Sequence, residues 1–195
     1  MATKRSPVRR TVALAIGRAT LADVWDKLAA AYGTRTALTL EEPTTLEGAP
    51  AVTLSYLDVA RLVALLAGAL ADSGVKPGAR VAVCTGNRID YALICFAAVR
   101  AGAVAIPLHH HLKPAEVDAY LARSRATFLV ADPATAVERS GVVTLTTGAR
   151  SSLARALDAA SPLVATDVKA TEPALILFTS GTTGAPKGAT ITSRS

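Results

Sequence analysis

The apolar residues of this chain recur at two spacings, one typical of amphipathic helices and one typical of buried strands. In the first such stretch, residues 20–32, they lie three or four positions apart, which predicts a helix that ends at Gly33. The apolar positions are Leu21, Val24, Trp25 and Leu28. Thr20 and Asp23 have the spacing of a capping box, so we expect the helix to begin there.

Further along the chain, predicted helices and strands alternate. Strands are expected at residues 36–40, 51–54, 80–84, 104–108, 127–130, 142–145 and 174–178. Helices are expected from a cap at residue 55 to residue 74, and at residues 90–100, 114–123 and 151–160. Ser55 with Asp58 forms a second capping box, and Lys113 with Pro114 opens a later helix. This alternation is typical of an α/β fold in which a mostly parallel sheet carries helices on both faces.

The excess positive charge of the chain is concentrated before the first predicted helix. The 195 residues carry a net charge of +6, and five basic residues precede the first acidic one. They are Lys4, Arg5, Arg9, Arg10 and Arg18. We therefore expect residues 1–19 to be a basic, disordered extension that is solvated rather than bound to acidic lipid headgroups. The other 16 basic residues nearly balance the 15 acidic ones, which argues against a nucleic-acid-binding domain.

The apolar runs of the sequence do not predict a membrane span. The longest of them, residues 62–71 and 91–99, are short and flanked by charged residues. Residues 11–17 form a similarly short run that ends at Arg18, so a signal peptide is not expected. Cys84 and Cys95 lie in apolar surroundings and are interpreted as core residues in a reducing compartment, which predicts a cytoplasmic protein.

Three consecutive histidines, His109, His110 and His111, raise the question of a metal site. Neighbouring side chains diverge in a regular strand or helix, so the three rings are not expected to meet at one ion. We interpret them as a surface feature of a loop and assign no metal-binding residues.

The strand predicted at residues 174–178 leads into a loop with the composition of a phosphate site. Two glycines let backbone N–H groups approach an anion, and hydroxyl residues and a lysine add donors. The site residues are Thr179, Ser180, Gly181, Thr182, Thr183, Gly184 and Lys187. Pro186 and Gly188 stand where a Walker A motif has glycine and Ser/Thr, so the loop is not of that type. The alternative is a plain surface turn, which needs neither four hydroxyl residues nor Pro-Lys-Gly in this order.

Residues 179–188, Thr-Ser-Gly-Thr-Thr-Gly-Ala-Pro-Lys-Gly, resemble the signature loop of the AMP-forming acyl-CoA synthetase (adenylate-forming) superfamily. Residues 74–82, 101–108 and 172–176 resemble other motifs of that family, so the likeness extends from residue 20 to residue 194. The resemblance implies that residues 20–195 are the incomplete N-terminal part of such an enzyme's large domain. The family's later segments, including the C-terminal domain with its catalytic lysine, are not in this sequence, so no catalytic residue is assigned.

Two residues depart from the family pattern. Ala79 replaces an acidic residue in a Pro-Gly-Asp-Arg turn, where a mild loss of turn capping is expected. Ser193 replaces a histidine that, by the resemblance, helps to build the substrate side of the site. The family uses an asparagine at position 87 to shape a loop, so Asn87 and its neighbour Arg88 are expected to be structural.

For a complete enzyme, the resemblance implies ATP-dependent activation of a carboxylate. The carboxylate attacks the α-phosphorus of ATP, pyrophosphate leaves, and the resulting acyl-adenylate passes its acyl group to coenzyme A. By the same resemblance, the loop holds the β- and γ-phosphates with Mg²⁺ bridging them, and Lys187 neutralises the departing charge. The family's commonest substrate is a fatty acid, but the residues that select the acyl group are not in this sequence.

Three interpretations remain open for the chain by itself. The first is a portion of a ligase whose remainder was lost or is supplied in trans by a partner chain. The second is an ATP-binding module without turnover. The third is a non-catalytic remnant or an interaction module whose phosphate loop is unused. Residues 174–178 are nearly all apolar, which is typical of a strand covered on both faces. Because the family builds part of that cover from later sequence, we expect an exposed edge or apolar patch here.

Overall fold

The computed structural model follows the alternating order of elements that the sequence predicts. It describes residues 19–39, 53–86, 88–179 and 186–193. The helices are α1 (Val24–Tyr32), α2 (Tyr56–Asp72), α3 (Ile89–Arg100), α4 (Pro114–Ser124) and α5 (Ser152–Ala159). The strands are β1 (Thr36–Thr39), β2 (Thr53–Ser55), β3 (Arg80–Cys84), β4 (Val104–Pro107), β5 (Phe128–Ala131), β6 (Val143–Thr146), β7 (Pro173–Thr179) and β8 (Lys187–Thr192).

The main sheet has six strands in the order β6-β5-β3-β4-β7-β8. Its first five strands are parallel, and β8 is antiparallel to β7. β1 and β2 form a separate antiparallel pair. One face of the main sheet is covered by α2, α3 and α5, with α1 packed on α2, and the other face packs against α4. The predicted fold, a mostly parallel sheet with helices on both faces, is confirmed.

The capping box at Ser55 forms as predicted. The Ser55 N–H and hydroxyl donate to Asp58 Oδ2 at 2.9 and 2.6 Å, and the Asp58 N–H donates to Ser55 Oγ at 3.1 Å. The side-chain bond, followed by the backbone bond, lowers the pKa of Asp58. The helix that begins here, α2, buries the side chains of Leu66 and Leu70 in the core.

The first helix begins later than its capping pair predicts. The Thr20 N–H donates to Asp23 Oδ1 at 2.8 Å, but α1 starts only at Val24. The Asp23 side chain accepts no hydrogen bond from the helix backbone, so the pair closes a turn that precedes the helix. Gly33 ends the helix as predicted, with φ at +57° and its N–H donating to the Ala29 carbonyl oxygen at 2.8 Å.

The last strand, β8, is absent from the sequence prediction. Lys187, which the composition places in the loop, is its first residue. The glycines and hydroxyl residues before it dominate the local composition and conceal a short strand pattern. Since β8 is the outer strand of the described sheet and its first four residues are exposed, the expected exposed edge lies on β8 rather than on β7.

The two cysteines are buried and free, as the core interpretation predicts. Burial raises the pKa of Cys95 to about 12, and desolvation also raises the pKa of Cys84. Both thiols therefore stay protonated near neutral pH and are poor nucleophiles. No helix in the described ranges combines the length and apolarity needed to cross a membrane.

Candidate functional site

The hairpin of β7 and β8 brings the two ends of the hydroxyl-rich loop together. Thr179 pairs with Lys187 at the end of the hairpin, and the Thr179 hydroxyl donates to the Lys187 carbonyl oxygen at 3.5 Å. Both residues are exposed. Since β7 runs parallel to β4, this end of the hairpin lies at the carboxyl edge of the sheet, where open α/β sheets place ligands.

The remaining predicted site residues lie between these two positions and outside the described residues. They are Ser180, Gly181, Thr182, Thr183 and Gly184. Residues directly opposite one another in an antiparallel pair present their side chains on the same face. The structure therefore places a hydroxyl side chain and a lysine side by side at the base of the loop, a pairing that suits an anion.

Gly188 has a packing role that the sequence analysis missed. It pairs with Phe178 across the hairpin. A Cβ at Gly188 would lie 3.0 Å from Ile176 Cγ2 and 3.3 Å from Phe178 Cε1. Glycine thus lets these two side chains lie against the β8 backbone. The available signal was a glycine inside a short run of strand-forming residues.

Asp132, which the sequence analysis did not single out, organises another part of the carboxyl edge. It follows β5 and accepts hydrogen bonds from the Gly86 N–H at 2.7 Å, from Arg88 Nη2 at 3.0 Å and from Thr147 Oγ1. Burial acts to raise the pKa of Asp132, but the hydrogen bonds from Thr147, Gly86 and Arg88 outweigh it and lower the pKa. Asp132 therefore ties together the loops that follow β3, β5 and β6.

Arg88 has the structural contacts that the sequence analysis expects. Besides its bond to Asp132, its Nε lies 3.7 Å from Oδ2 of the buried Asp90, so Arg88 links the start of α3 to the carboxyl edge. Its neighbour Asn87 lies outside the described residues.

The three histidine rings lie closer together than the sequence argument allows. Their centroids are 4.8 Å apart for His109 and His110, 3.9 Å for His110 and His111, and 5.1 Å for His109 and His111. The segment is a turn, so the divergence of side chains in a regular strand or helix does not apply to these three rings. Loss of hydration, followed by the neighbouring rings, lowers the pKa of His110. Even so, no group of three His, Cys, Asp or Glu side chains among the described residues could hold a metal ion.

Ser193 lies at the opposite end of β8 from Lys187, and its expected place on the substrate side of a complete site stays a prediction. It directly follows β8 and is six residues from Lys187, a distance of about 20 Å along an extended strand. Its N–H donates to the Glu172 carbonyl oxygen at 2.7 Å, and its own carbonyl oxygen accepts from the Leu21 N–H at 3.0 Å. Its side chain lines a cavity of about 500 Å³ at the amino edge of the sheet.

The turn at Ala79 closes without the acidic residue of the family pattern. The Ala79 N–H donates to the Lys76 carbonyl oxygen at 2.9 Å. Gly78 supplies the positive φ of this turn, +79°. Ala79 therefore leaves the backbone of the turn intact.

Comparison with known proteins agrees with the fold. A family model described as AMP-binding enzyme matches residues 25–195. Feruloyl-CoA synthase of an Amycolatopsis species is 39% identical over 146 residues, which cover 71% of this chain and 28% of that protein.

Solved structures of similar proteins share the same architecture. A long-chain-fatty-acid-CoA ligase from Archaeoglobus fulgidus superposes with a TM-score of 0.79 at 29% identity, covering 89% of this chain and 36% of that one. An ATP-bound chimera of RpMatB and BxBclM superposes with a TM-score of 0.66, also at 29% identity, covering 80% of this chain and 33% of the chimera. The chain thus spans between 28% and 36% of the length of these three proteins.

Proposed function

This chain belongs to the AMP-binding enzyme family, and we propose that its β7–β8 hairpin binds the β- and γ-phosphates of ATP. The observation that carries the proposal is the pairing of Thr179 with Lys187 at the carboxyl edge of the sheet. The proposed ligands are Thr179, Ser180, Gly181, Thr182, Thr183, Gly184 and Lys187. The family's AMP-forming chemistry and the ATP bound to the similar chimera support the assignment.

The charge at the hairpin suits a polyphosphate. Lys187 is exposed, and none of the ion pairs between described residues involves it. Its ammonium group is therefore free to meet an anion. A charge-assisted hydrogen bond of this kind contributes about 1.5–3 kcal/mol, so the lysine alone would account for a measurable part of the affinity.

Mg²⁺ would be held mainly by the nucleotide. No cluster of three carboxylate, imidazole or thiolate groups among the described residues could bind a metal ion. This fits the usual behaviour of Mg²⁺, which keeps several waters and binds through substrate phosphates with only one or two carboxylates. When bound, the metal would neutralise phosphate charge, and Lys187 would do the same from the protein side.

For the whole protein we propose activation of a carboxylate with ATP, followed by transfer of the acyl group to coenzyme A. The residues of this chain would orient the phosphates and stabilise charge on the departing pyrophosphate. The chain spans 28% of the feruloyl-CoA synthase. For these residues by themselves we propose ATP binding without turnover, and a partner in trans is the proposed source of groups that they do not contain.

The acyl substrate is proposed to be a fatty acid, with ferulate as the second candidate. The similar proteins differ in the acyl group that their names give, long-chain fatty acid in one and feruloyl in the other. Formation of an acyl hydroxamate from ATP, hydroxylamine and either acid would identify the preferred substrate in any preparation that turns over.

Titration calorimetry with ATP and Mg²⁺ tests the binding proposal. Lys187→Ala is expected to raise the dissociation constant for ATP at least tenfold, because a charge-assisted contact of about 1.5–3 kcal/mol is lost. Lys169→Ala is the matched control, since Lys169 is also exposed but precedes β7 at the amino edge of the sheet. The dissociation constant of Lys169→Ala for ATP should stay within about twofold of the wild-type value.

The same titration separates the proposal from its alternative. A wild-type chain that binds no ATP would contradict the proposal and favour a non-catalytic interaction module with an unused loop. Equal losses in both lysine variants would show that ATP responds to net charge alone, which also contradicts a specific site at the hairpin.

We further propose that residues 1–19 form an extension to a partial AMP-binding domain that comprises residues 20–195, and that the protein is cytoplasmic. The basic composition of the extension and the two free, buried cysteines support these points. Limited trypsin digestion should remove the extension and leave the domain intact. Cell fractionation should recover the protein in the soluble cytoplasmic fraction.

A further inference from the structure

A contact from α4 holds the start of β8 beside the proposed phosphate ligand. Arg123 Nη1 donates to the Pro186 carbonyl oxygen at 2.9 Å. Pro186 directly precedes Lys187 and has no N–H of its own to bond to the partner strand. The guanidinium of Arg123 therefore fixes the backbone one residue away from Lys187.

The same helix also contacts the other strand of the hairpin. Tyr120 packs edge-on against Phe178, with ring centroids 4.9 Å apart and an interplanar angle of 72°. Tyr120 and Arg123 are three residues apart and so lie on one face of α4. This face touches β7 one residue before Thr179 and touches the chain one residue before Lys187.

The contacts from α4 lie at the end of the hairpin beyond the point where β7 pairs with β4. β7 is in register with β4 at a single position, Ala105 with Leu175. Leu175 is four residues from Thr179, and β8 is the outer strand of the described sheet. Beside the Arg123 contact, the small side chains of Ala119 and Ala122 leave an open groove of about 580 Å³ rather than a packed support.

We propose that Arg123 is a positioning residue that orients Lys187 toward the phosphates of ATP, an inference that rests on the proposed function. Its planar guanidinium carries five N–H donors, so it can hold a carbonyl oxygen while remaining hydrated in the groove. Arg123 acts through the Pro186 backbone and does not itself contact the nucleotide.

The test compares two arginines that each make one contact with or from α4, the exposed Arg123 and the partly buried Arg139, on the 195-residue chain. Arg139 Nη1 lies 2.6 Å from Asp118 Oδ1 on the same helix, so Arg139→Gln removes one positive charge and one α4 contact without touching the hairpin. Arg123→Gln is expected to raise the dissociation constant for ATP about fivefold, the value of one ordinary hydrogen bond. Arg139→Gln should change it less than about twofold.

Three further measurements separate positioning from charge and from misfolding. At about 0.5 M salt, screening of solvent-exposed charges is nearly complete, and the fivefold difference should persist. In the ligand-free protein, amide hydrogen exchange at residues 187–189 should be faster in Arg123→Gln, while the thermal midpoint is unchanged. Arg123→Lys, which keeps the positive charge and an N–H donor group but loses the planar fork, should restore part of the affinity.

Several outcomes would overturn the inference. Equal effects of the two glutamine variants, or an Arg123 effect that disappears at high salt, would leave only a general charge effect. Unchanged amide exchange at residues 187–189 would mean that Arg123 does not hold the segment. If the wild-type chain fails to bind ATP, the proposed function fails, and the exchange measurement still decides whether Arg123 positions Lys187.

Discussion

The central strand β3 and strand β7 of the hairpin are both rich in apolar residues, yet they differ in burial and in their strand pairing. β3 is in register with β4 and with β5 at four positions each, and its last four side chains are buried. β7 is in register with β4 at one position, and the first four residues of β8 are exposed. β3 therefore forms part of the buried core, whereas the hairpin presents Thr179 and Lys187 of the candidate site on its exposed side.

The largest expected loss of stability comes from a substitution in the core beneath the sheet rather than in the hairpin. Leu66 lies in the core beneath the sheet, and Leu66→Ala should lower the free energy of unfolding by about 3 kcal/mol through lost burial and a new cavity. Leu177 on β7 is 37% exposed, and Leu177→Ala should cost about 0.5 kcal/mol or less. Urea unfolding followed by circular dichroism would measure both. Similar losses in the two variants would contradict the contrast between the regions.

An intermediate loss of stability is expected at Asp132, which bonds to three loops at the carboxyl edge of the sheet. Asp132→Asn removes the negative charge that accepts three hydrogen bonds, and it should lower the free energy of unfolding at pH 7 by about 1–2 kcal/mol. Asp118→Asn is the matched control, because its ion pair with Arg139 is largely exposed and should contribute well under about 1 kcal/mol.

The pH dependence of the Asp132 effect has a definite sign. The pKa of Asp132 is lowered in the folded chain from its ordinary 3.8, so the unfolded chain binds the proton more readily. The stabilisation is thus complete above pH 3.8 and is lost as the pH falls through the lowered pKa. Urea unfolding at pH 7, 5 and 3 should show the wild type and Asp132→Asn converging at low pH. If the difference in unfolding free energy between the two proteins is the same at all three pH values, the stabilisation does not come from ionised Asp132.

The smallest loss of stability is expected for a substitution in the hairpin itself. Gly188→Ala should lower the free energy of unfolding by about 1 kcal/mol, because its Cβ must displace Ile176 and the Phe178 ring. The change should also weaken ATP binding, since it disturbs the strand that carries Lys187. Ala189→Ser, at the exposed neighbouring position, is the control and should leave both measurements unchanged. Tight ATP binding by Gly188→Ala would show that the hairpin packing does not shape the site.

Elements with local signals were predictable from the sequence. α2 has a capping box at Ser55, and β3 is a compact run of small apolar residues, so the predicted limits of both agree closely with the structure. The Thr20–Asp23 pair was misleading because the same spacing serves a turn as well as a helix cap. β8 could not be predicted, since its strand character depends on pairing with β7 across a loop of different composition.

The chemistry of the loop is a local property of the sequence, because hydroxyls, glycines and a lysine keep their donor groups in any fold. Tertiary structure decided which residues support that loop. Asp132 reaches Gly86 across 46 residues of sequence, and Arg123 reaches Pro186 across 63. Periodicity and capping act over a few residues, whereas these contacts arise only when distant segments pack together. The sequence by itself therefore determined the alternating elements and the chemistry of the loop, whereas the tertiary structure decided that Lys187 pairs with Thr179 and that Arg123 of α4 bonds the adjacent Pro186.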